Sequence, residues 1–444
     1  TAIRRQRQMC IRDRFMTDVT KLIQASLEKR HNAEKRFQFY GILGISLAVL
    51  FLFVILVSII NEGKNAFKST YIKLDINFDE KTVDPEGLRN IDDLKFANYK
   101  KLITSSLKNY FPEVSDKKEL RSLGEFISSS EEQNLMNFII SNNDYIGNSK
   151  SFWLLASSTI DVIHKNPDMQ NLSEDDRLIT DRQLGWFKSF EKNGDIKFGL
   201  NKNFFLKADS TEPEQAGILG SVIGTFFTLF ITLILSFPIA VAAGVFLEEL
   251  APKNKFTDFI EVNINNLAAV PSIIFGLLGL AIFLNVMHLP RSAPVVGGMV
   301  LALMTLPTII IATRASLKAV PPSIREAAIG LGATKFQTVN HHLLPLSLPG
   351  ILTGTILGMS RALGESAPLL MIGMVAFIVD VPGSFTDSAT VLPIQIYLWK
   401  STAARGFLEL TAAGVMVLLT FLILMNGLAV YISCLLYTSD AADE

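Results

Sequence analysis

The sequence predicts an α-helical polytopic membrane protein with about six transmembrane helices and one inserted α+β domain. Charge is the first observation: 47 of the 156 residues from 61 to 216 are charged, against 19 of the 216 residues from 217 to 432. The second is a set of apolar runs long enough to cross a bilayer. The overall net charge of -1 and the hydrophobic content of 49% therefore average two unlike parts. This division excludes a wholly soluble enzyme, a disordered chain and a nucleic-acid binder that relies on global positive charge.

The first apolar run covers residues 37–61 and follows a basic leader, residues 16–37. By the positive-inside rule, such a leader stays in the cytoplasm. The run is too long for the apolar part of a signal peptide, and no small-residue cleavage site follows it. The sequence therefore predicts an uncleaved anchor helix at 38–60 with a cytoplasmic N-terminus.

Five further apolar runs predict spans near 217–240, 263–285, 294–313, 349–373 and 408–432. Six spans place both termini on the cytoplasmic side. Because residues 61–216 follow the first span, they must lie outside, in the periplasm. The protein is therefore expected to be a multi-pass protein of a bacterial inner membrane.

Patterning within 61–216 is that of an α+β domain. Residues 71–78 alternate, as in a half-buried strand, and 99–110 and 119–140 predict helices, the second broken near the serines at 128–130. Asn193-Gly194-Asp195 predicts a turn before a strand at 196–200. His164 is a lone histidine with an expected structural role, and the role of the whole domain stays open.

The two ends look unlike the rest of the chain. Cys10 and Cys434, the two cysteines, lie in strings that resemble translated adapter or assembly read-through. We expect residues 1–15 to be a non-native leader and 433–444 a non-native tail, with the natural start at Met16. The alternative is that both are ordinary frayed ends. Either way, two distant cysteines make no disulfide framework.

The loop 314–348 separates two predicted spans on the cytoplasmic side. Ser323 and Glu326 have the spacing of a capping box. Ala327, Ala328 and Leu331 are then expected on one small apolar face, and Gly332 ends the turn. Such a helix suits docking in a groove of another protein, and a capped surface helix without a partner is an equal alternative.

The same loop resembles the EAA signature of ABC-importer permeases. The matching positions are Glu326, Ala327, Ala328, Gly332, Leu344 and Pro345. His342 departs from the pattern, which usually has a branched aliphatic residue there. The resemblance implies a five-helix permease core, here preceded by one anchor helix, in which this loop forms the coupling helix that receives the motion of a cytoplasmic ATPase.

A narrower resemblance, to the PstA-type permeases of phosphate ABC importers, covers most of 217–432. It is carried by segments 270–276, 316–321, 332–338 and 361–370, while the leader and the 61–216 domain resemble an extension found in a proteobacterial subset of that family. It implies four partners: inorganic phosphate, a homologous PstC-type permease, two copies of a PstB-type ATPase and a periplasmic PstS-type binding protein.

Arg361 and Glu365 stand four residues apart in the fifth predicted span. A charge near the middle of a span costs about 2.5 to 3.5 kcal/mol, so it needs a partner. The pair could lock helices together, or Arg361 could bind phosphate in the translocation path while Glu365 holds it between substrates. We favour the second interpretation. Arg314 is a weaker candidate for the path, because snorkelling also explains it.

A P-loop of the form Gly-x-x-x-x-Gly-Lys-Ser/Thr is absent from the sequence. The chain is therefore expected to be a non-catalytic subunit that binds no cofactor or metal, with ATP and Mg²⁺ on the partner ATPase. Three alternatives remain: an importer permease for another oxyanion such as sulfate or molybdate, a membrane-anchored periplasmic sensor, and an ATP-independent secondary transporter.

Overall fold

A computed structural model describes the backbone of residues 2–87 and 89–442 and the side chains of 26–27, 29–87, 89–431 and 434. The predicted non-native ends, 1–15 and 433–444, lie outside the described side chains except at Cys434. Contacts divide the chain into two units, residues 1–61 and 62–444. The first unit consists of most of one long helix, α1 (Ala2–Gly63), whose last two residues belong to the second unit. Within the candidate span Lys29–Phe67, the apolar side chains of residues 37–55 are exposed, as expected for a helix that faces lipid.

The second unit begins with an α+β domain, residues 64–216. Its elements are β1 (Lys68–Asn77), α2 (Glu80–Val83), α3 (Ile91–Phe96), α4 (Tyr99–Tyr110), α5 (Lys117–Gly124), α6 (Ser130–Ser141), β2 (Ser149–Leu155), α7 (Ser158–Lys165), α8 (Asp181–Asn193), β3 (Ile196–Leu200) and α9 (Lys202–Leu206). The strands form one antiparallel sheet in the order β2-β1-β3.

Alternation along the central strand places one face in the core of this domain. Ile72, Leu74, Ile76 and Phe78 are each at most 2% exposed, which confirms the strand predicted at 71–78. The break between α5 and α6 falls at the predicted serine cluster. The turn before β3 is also confirmed, since Gly194 has a φ of +75° that favours glycine.

Helices make up the rest of the second unit. They are α10 (Leu219–Val245), α11 (Lys255–Ala268), α12 (Ser272–Gly279), α13 (Pro294–Ala319), α14 (Pro322–Gly330), α15 (Lys335–Thr338), α16 (Leu344–Gly364), α17 (Ala367–Met371), α18 (Leu392–Ser401) and α19 (Gly406–Ala442). Within the part of the chain that the structure describes, five helices are long and apolar enough to cross a membrane, or six with one bent pair. The predicted fold class, a polytopic helical protein with a small α+β domain, is confirmed.

Two predicted spans differ from the structure. The span at 263–285 is a pair of helices, Lys255–Ala268 and Ser272–Val286, that meet at 101° beside Pro271. The span predicted at 349–373 begins earlier and ends at Gly364, where Glu365 is extended and α17 starts anew. Proline contributes to each break in a different way. Val270 precedes Pro271, and the residue before a proline avoids the helical conformation. Pro368, the second residue of α17, has no N–H to donate to the Gly364 carbonyl at the end of α16.

Close helix packing centres on α10 and α13. A Cβ placed on Gly298 would lie 2.6 Å from the Cβ of Ile231 and 2.8 Å from the carbonyl oxygen of Thr228. Across the same contact, the Thr232 hydroxyl donates to the Gly298 carbonyl at 3.2 Å. This approach holds the first turns of α13 against α10, and the opposite end of α13 leads into the predicted coupling loop.

Candidate functional site

The predicted coupling helix is α14, and its start differs from the sequence prediction. Pro321 is the N-cap and Pro322 the first helical residue, so Ser323 already lies inside the first turn and caps nothing. Proline fixes φ near the helical value and lacks the N–H that a helix start leaves unpaired. The capping box expected at Ser323 and Glu326 is therefore wrong, and Glu326 is exposed.

The end of α14 is as predicted. Gly332 has a φ of +91°, which a residue with a side chain rarely adopts. Its N–H donates to the Ile329 carbonyl at 2.9 Å, and the Ala333 N–H donates to the Ala328 carbonyl at 3.1 Å. These two bonds form a Schellman motif, which satisfies the last carbonyls of the helix and turns the chain sharply.

The small apolar face predicted for α14 is divided between two sides. Ala328 is 6% exposed and faces the protein, whereas Ala327 is exposed and Leu331 is 92% exposed. Ile329 and Phe336 are also exposed, at 53% and 67%. Exposed apolar side chains within ten residues of the exposed Glu326 are thus the main feature of this loop.

Beyond Gly332 the loop returns to the helical domain. Thr334 and Gln337 form a capping box at the start of α15, a cap that the sequence reasoning missed. His342 is exposed, while Val339 and Leu343 beside it are buried, so they supply the packing for which His342 is unsuited. Leu344 and Pro345, the last two matched positions, open α16.

Two consecutive glutamates at the end of α10 bind the arginines of this region. Glu249 accepts from Arg325 of α14, with Nη2 to Oε1 at 2.6 Å and Nε to Oε1 at 3.1 Å. Glu248 accepts from Nε of Arg314 at 3.2 Å and forms an ion pair with Nζ of Lys318 at 3.4 Å. Neither glutamate was predicted. The available signal was two acids at a helix C-terminus, where the helix dipole disfavours them unless cations are near.

Arg314 is held by a second acid as well. Its Nη2 lies 2.7 Å from Oε1 of Glu261 in α11, and its side chain is only 14% exposed. The structure therefore places Arg314 in an ion-pair network at the end of α13. Arg314 and Arg361 have different partners in the described residues, and the structure does not bring them together.

Arg361 and Glu365 do pair, with Nε and Oε1 3.6 Å apart. Their setting differs from the prediction, because α16 ends at Gly364 and Arg361 lies in its last turn, not near the middle of a span. The helix dipole favours a cation there by about 0.3 to 1 kcal/mol, which offsets part of the cost argued for a charge in the middle of a span. The Arg361 side chain is 52% exposed in this single chain, so a ligand or another subunit could reach it.

A polar cluster joins the α+β domain to the ends of the membrane helices. Lys165 of α7 is 5% exposed and lies 2.5 Å from Asp161 and 3.3 Å from Glu409, which is in the first turn of α19. Nearby, Glu214 accepts from the Ser158 N–H at 3.2 Å, and burial raises its pKa to about 7. None of these contacts was predicted.

His164 lies beside the same cluster. Its ring stacks on Phe198 with centroids 3.9 Å apart, and Nδ1 is 3.0 Å from the Thr70 hydroxyl. Burial lowers its pKa. These contacts agree with the structural role expected for this histidine.

Comparison with known proteins gives two family matches. Residues 237–433 match the family described as binding-protein-dependent transport system inner membrane component, and residues 24–174 match a domain of unknown function, DUF3333. The chain is also 30% identical to the phosphate transport system permease protein PstA of Yersinia pestis, over 48% of this chain and 71% of that protein. The chain belongs to this family of ABC-importer permeases. The permease is accordingly a non-catalytic membrane subunit.

Two further similarities are more limited in scope. The probable ABC transporter permease protein YqgI of Bacillus subtilis is 36% identical to this permease over 38% of its chain. The match covers 58% of the length of YqgI. Among solved structures, the inward-facing MetNI methionine ABC transporter matches 49% of the permease and 96% of its own chain at 20% identity. The TM-score of 0.40 is too low to support a structural argument.

Proposed function

We propose that this permease is a subunit of an ATP-driven importer of inorganic phosphate, forms half of its translocation pore and couples to a cytoplasmic ATPase through α14. The observation that carries the proposal is the exposure of three apolar side chains, Ile329, Leu331 and Phe336, that follow the exposed Glu326 closely in the chain. An apolar patch with an acidic neighbour, on a helix whose other side is anchored, suits a groove on another protein.

The proposed orientation follows the charges. Residues 1–37 hold 10 basic and 4 acidic groups, and residues 61–216 hold 21 basic and 26 acidic groups. The positive-inside rule then places the leader and the 314–348 loop in the cytoplasm and the α+β domain in the periplasm. In this orientation α14 meets the ATPase and the α+β domain faces the periplasmic binding protein.

Phosphate is the proposed substrate on two grounds. The Yersinia relative is named a phosphate transport permease. In addition, the guanidinium of Arg361 is half exposed and has the planar donor geometry that matches an oxyanion. Glu365 would hold Arg361 between substrates. A sulfate or molybdate importer would use the same chemistry, so the anion itself must be tested.

Reconstitution with the partner permease, the ATPase and the binding protein tests the coupling. Glu326→Lys should lower ATPase capture and transport-coupled ATP hydrolysis, because it reverses the charge at the proposed contact. Glu113→Lys, on an exposed position of the α+β domain, is the matched control and should change neither. Normal coupled hydrolysis with Glu326→Lys would contradict the assignment of α14.

Uptake of labelled phosphate, sulfate and molybdate into the same vesicles tests the substrate. Arg361→Ala should abolish phosphate uptake while the complex still assembles, and Arg405→Ala, an exposed arginine before α19, should not. Uptake of sulfate or molybdate in place of phosphate would identify the alternative oxyanion importer. Normal phosphate uptake with Arg361→Ala would leave the Arg361–Glu365 pair as a structural contact.

A further inference from the structure

Two neighbouring glutamates that follow α10, Glu248 and Glu249, bind side chains of two different helices, α13 and α14. Residues Phe246–Leu250 form a π-helical turn, in which the Ala251 N–H donates to the Phe246 carbonyl at 2.7 Å. Successive side chains on a helix point in different directions. Glu248 therefore reaches the basic side chains at the end of α13, while Glu249 reaches Arg325 of α14.

Arg325 makes more contacts than a simple ion pair requires. Besides its bonds to Glu249, its Nη2 donates to the Leu317 carbonyl at 2.7 Å and its Nη1 to the Val320 carbonyl at 3.0 Å. Both carbonyls lie at the end of α13, where the last acceptors of a helix lack their usual partners, although Leu317 also accepts from the Val320 N–H at 3.3 Å. One guanidinium thus ties α14 to the ends of both α10 and α13.

Because it is partly buried, the Arg325–Glu249 ion pair is expected to be stronger than an ion pair on the protein surface. The side chain of Arg325 is 24% exposed and that of Glu249 is 13% exposed. Partly dehydrated, charge-assisted bonds with two donors on one carboxylate are strong and directional. Arg325 is also the residue before Glu326, so it points towards the helical domain while its neighbour points outwards.

We propose that Arg325 and Glu249 are a positioning pair that transmits the displacement of α14 to α10. This inference rests on the proposed function, in which the exposed side of α14 binds the ATPase. A push on that side moves the Arg325 guanidinium, and its bonds then move the end of α10 together with the end of α13. Without the pair, α14 still docks on the ATPase, but its motion is not passed on.

The test uses the complete importer in proteoliposomes and measures phosphate transported per ATP hydrolysed, with ATPase capture measured separately. Arg325→Glu and Glu249→Arg should each lower transport per ATP by about fivefold or more, the lower range of typical coupling energies, while the ATPase is still captured. The double swap should restore part of the ratio. Arg182→Glu, at an Arg–Glu pair of the α+β domain, is the matched control and should leave the ratio unchanged.

Arg325→Lys guards against misfolding of the charge-reversed variants. Lysine keeps the charge but loses the two-pronged contact and the bonds to both carbonyls, so assembly should be normal and transport per ATP reduced. An unchanged ratio with Arg325→Lys, or a double swap no better than the single variants, would overturn the positioning pair. If instead the unmodified permease captured no ATPase, the proposed function itself would fail, so the two failures can be distinguished.

Discussion

Glu214 provides a stability prediction whose sign is set by burial. The residue is 7% exposed, and burial is the main cause that raises its pKa from 4.5 to about 7. The carboxylate of Glu212 raises the pKa further, whereas bonds from Ser128 and Ser158 lower it. Replacing Glu214 with glutamine keeps the shape of the protonated acid and removes the titration.

The direction follows from proton binding. Between about pH 4.5 and pH 7, the folded chain holds a proton on Glu214 that the unfolded chain has released, so stability falls as pH rises. The stabilisation that Glu214 contributes is complete below the pKa of the unfolded chain, and it is lost as the pH rises through the pKa of the folded chain. At about 1.4 kcal/mol per pKa unit, a shift of this size is worth about 3 kcal/mol.

Urea unfolding of the full chain in detergent micelles, followed by tryptophan fluorescence at pH 5 and pH 8, measures this effect. Glu214→Gln should lie within about 1 kcal/mol of the original chain at pH 5 and be more stable at pH 8 by up to about 3 kcal/mol. Glu113→Gln, on an exposed carboxylate, should leave the pH dependence unchanged. The same pH dependence with and without Glu214 would refute the assignment of this proton to its buried carboxyl.

Three further predictions concern other contacts. Lys165→Met should destabilise the folded chain by about 3 to 5 kcal/mol in the same urea assay, since it leaves Glu409 buried beside a second acid, and a loss below about 1 kcal/mol would contradict the buried pair. Gly298→Val should overpack the contact with α10 and lower the free energy of unfolding by about 1 to 3 kcal/mol, measured as a lower melting temperature in detergent. Gly185→Ala, at a position with open space, should leave the melting temperature unchanged. Leu331→Glu should abolish ATPase capture without changing the melting temperature, because the Leu331 side chain is 92% exposed. Capture at the original level would exclude Leu331 from the docking surface.

Local patterns in the sequence predicted the elements that local physics determines. Alternation identified the central strand, and Gly194 and Gly332 marked turns that need a positive φ. Apolar runs identified the membrane helices but not where they break. The run from residue 336 to 379 is apolar apart from Arg361 and Glu365, so its hydropathy does not show the break at Glu365.

The site was predictable only in part, for a related reason. Glu326 and Gly332 could be placed by spacing along one helix, because the loop folds locally. The partners of Arg325 and Lys165 could not, since Glu249 and Glu409 lie 76 and 244 residues away in the chain. Pairings over such separations depend on how helices pack, which no short sequence pattern encodes.

Helix α10 connects the two polar regions. The segment that holds Glu214 leads into its start, and the glutamates that bind Arg314 and Arg325 follow its end. Its 27 residues span about 40 Å, and Pro238 lies inside it. A helix is stiff along its axis and bends most readily at a proline. If the proposed coupling operates, we therefore expect displacement of Glu249 to change the tilt of α10 about Pro238, and the polar cluster at the start of α10 to limit how far its other half follows.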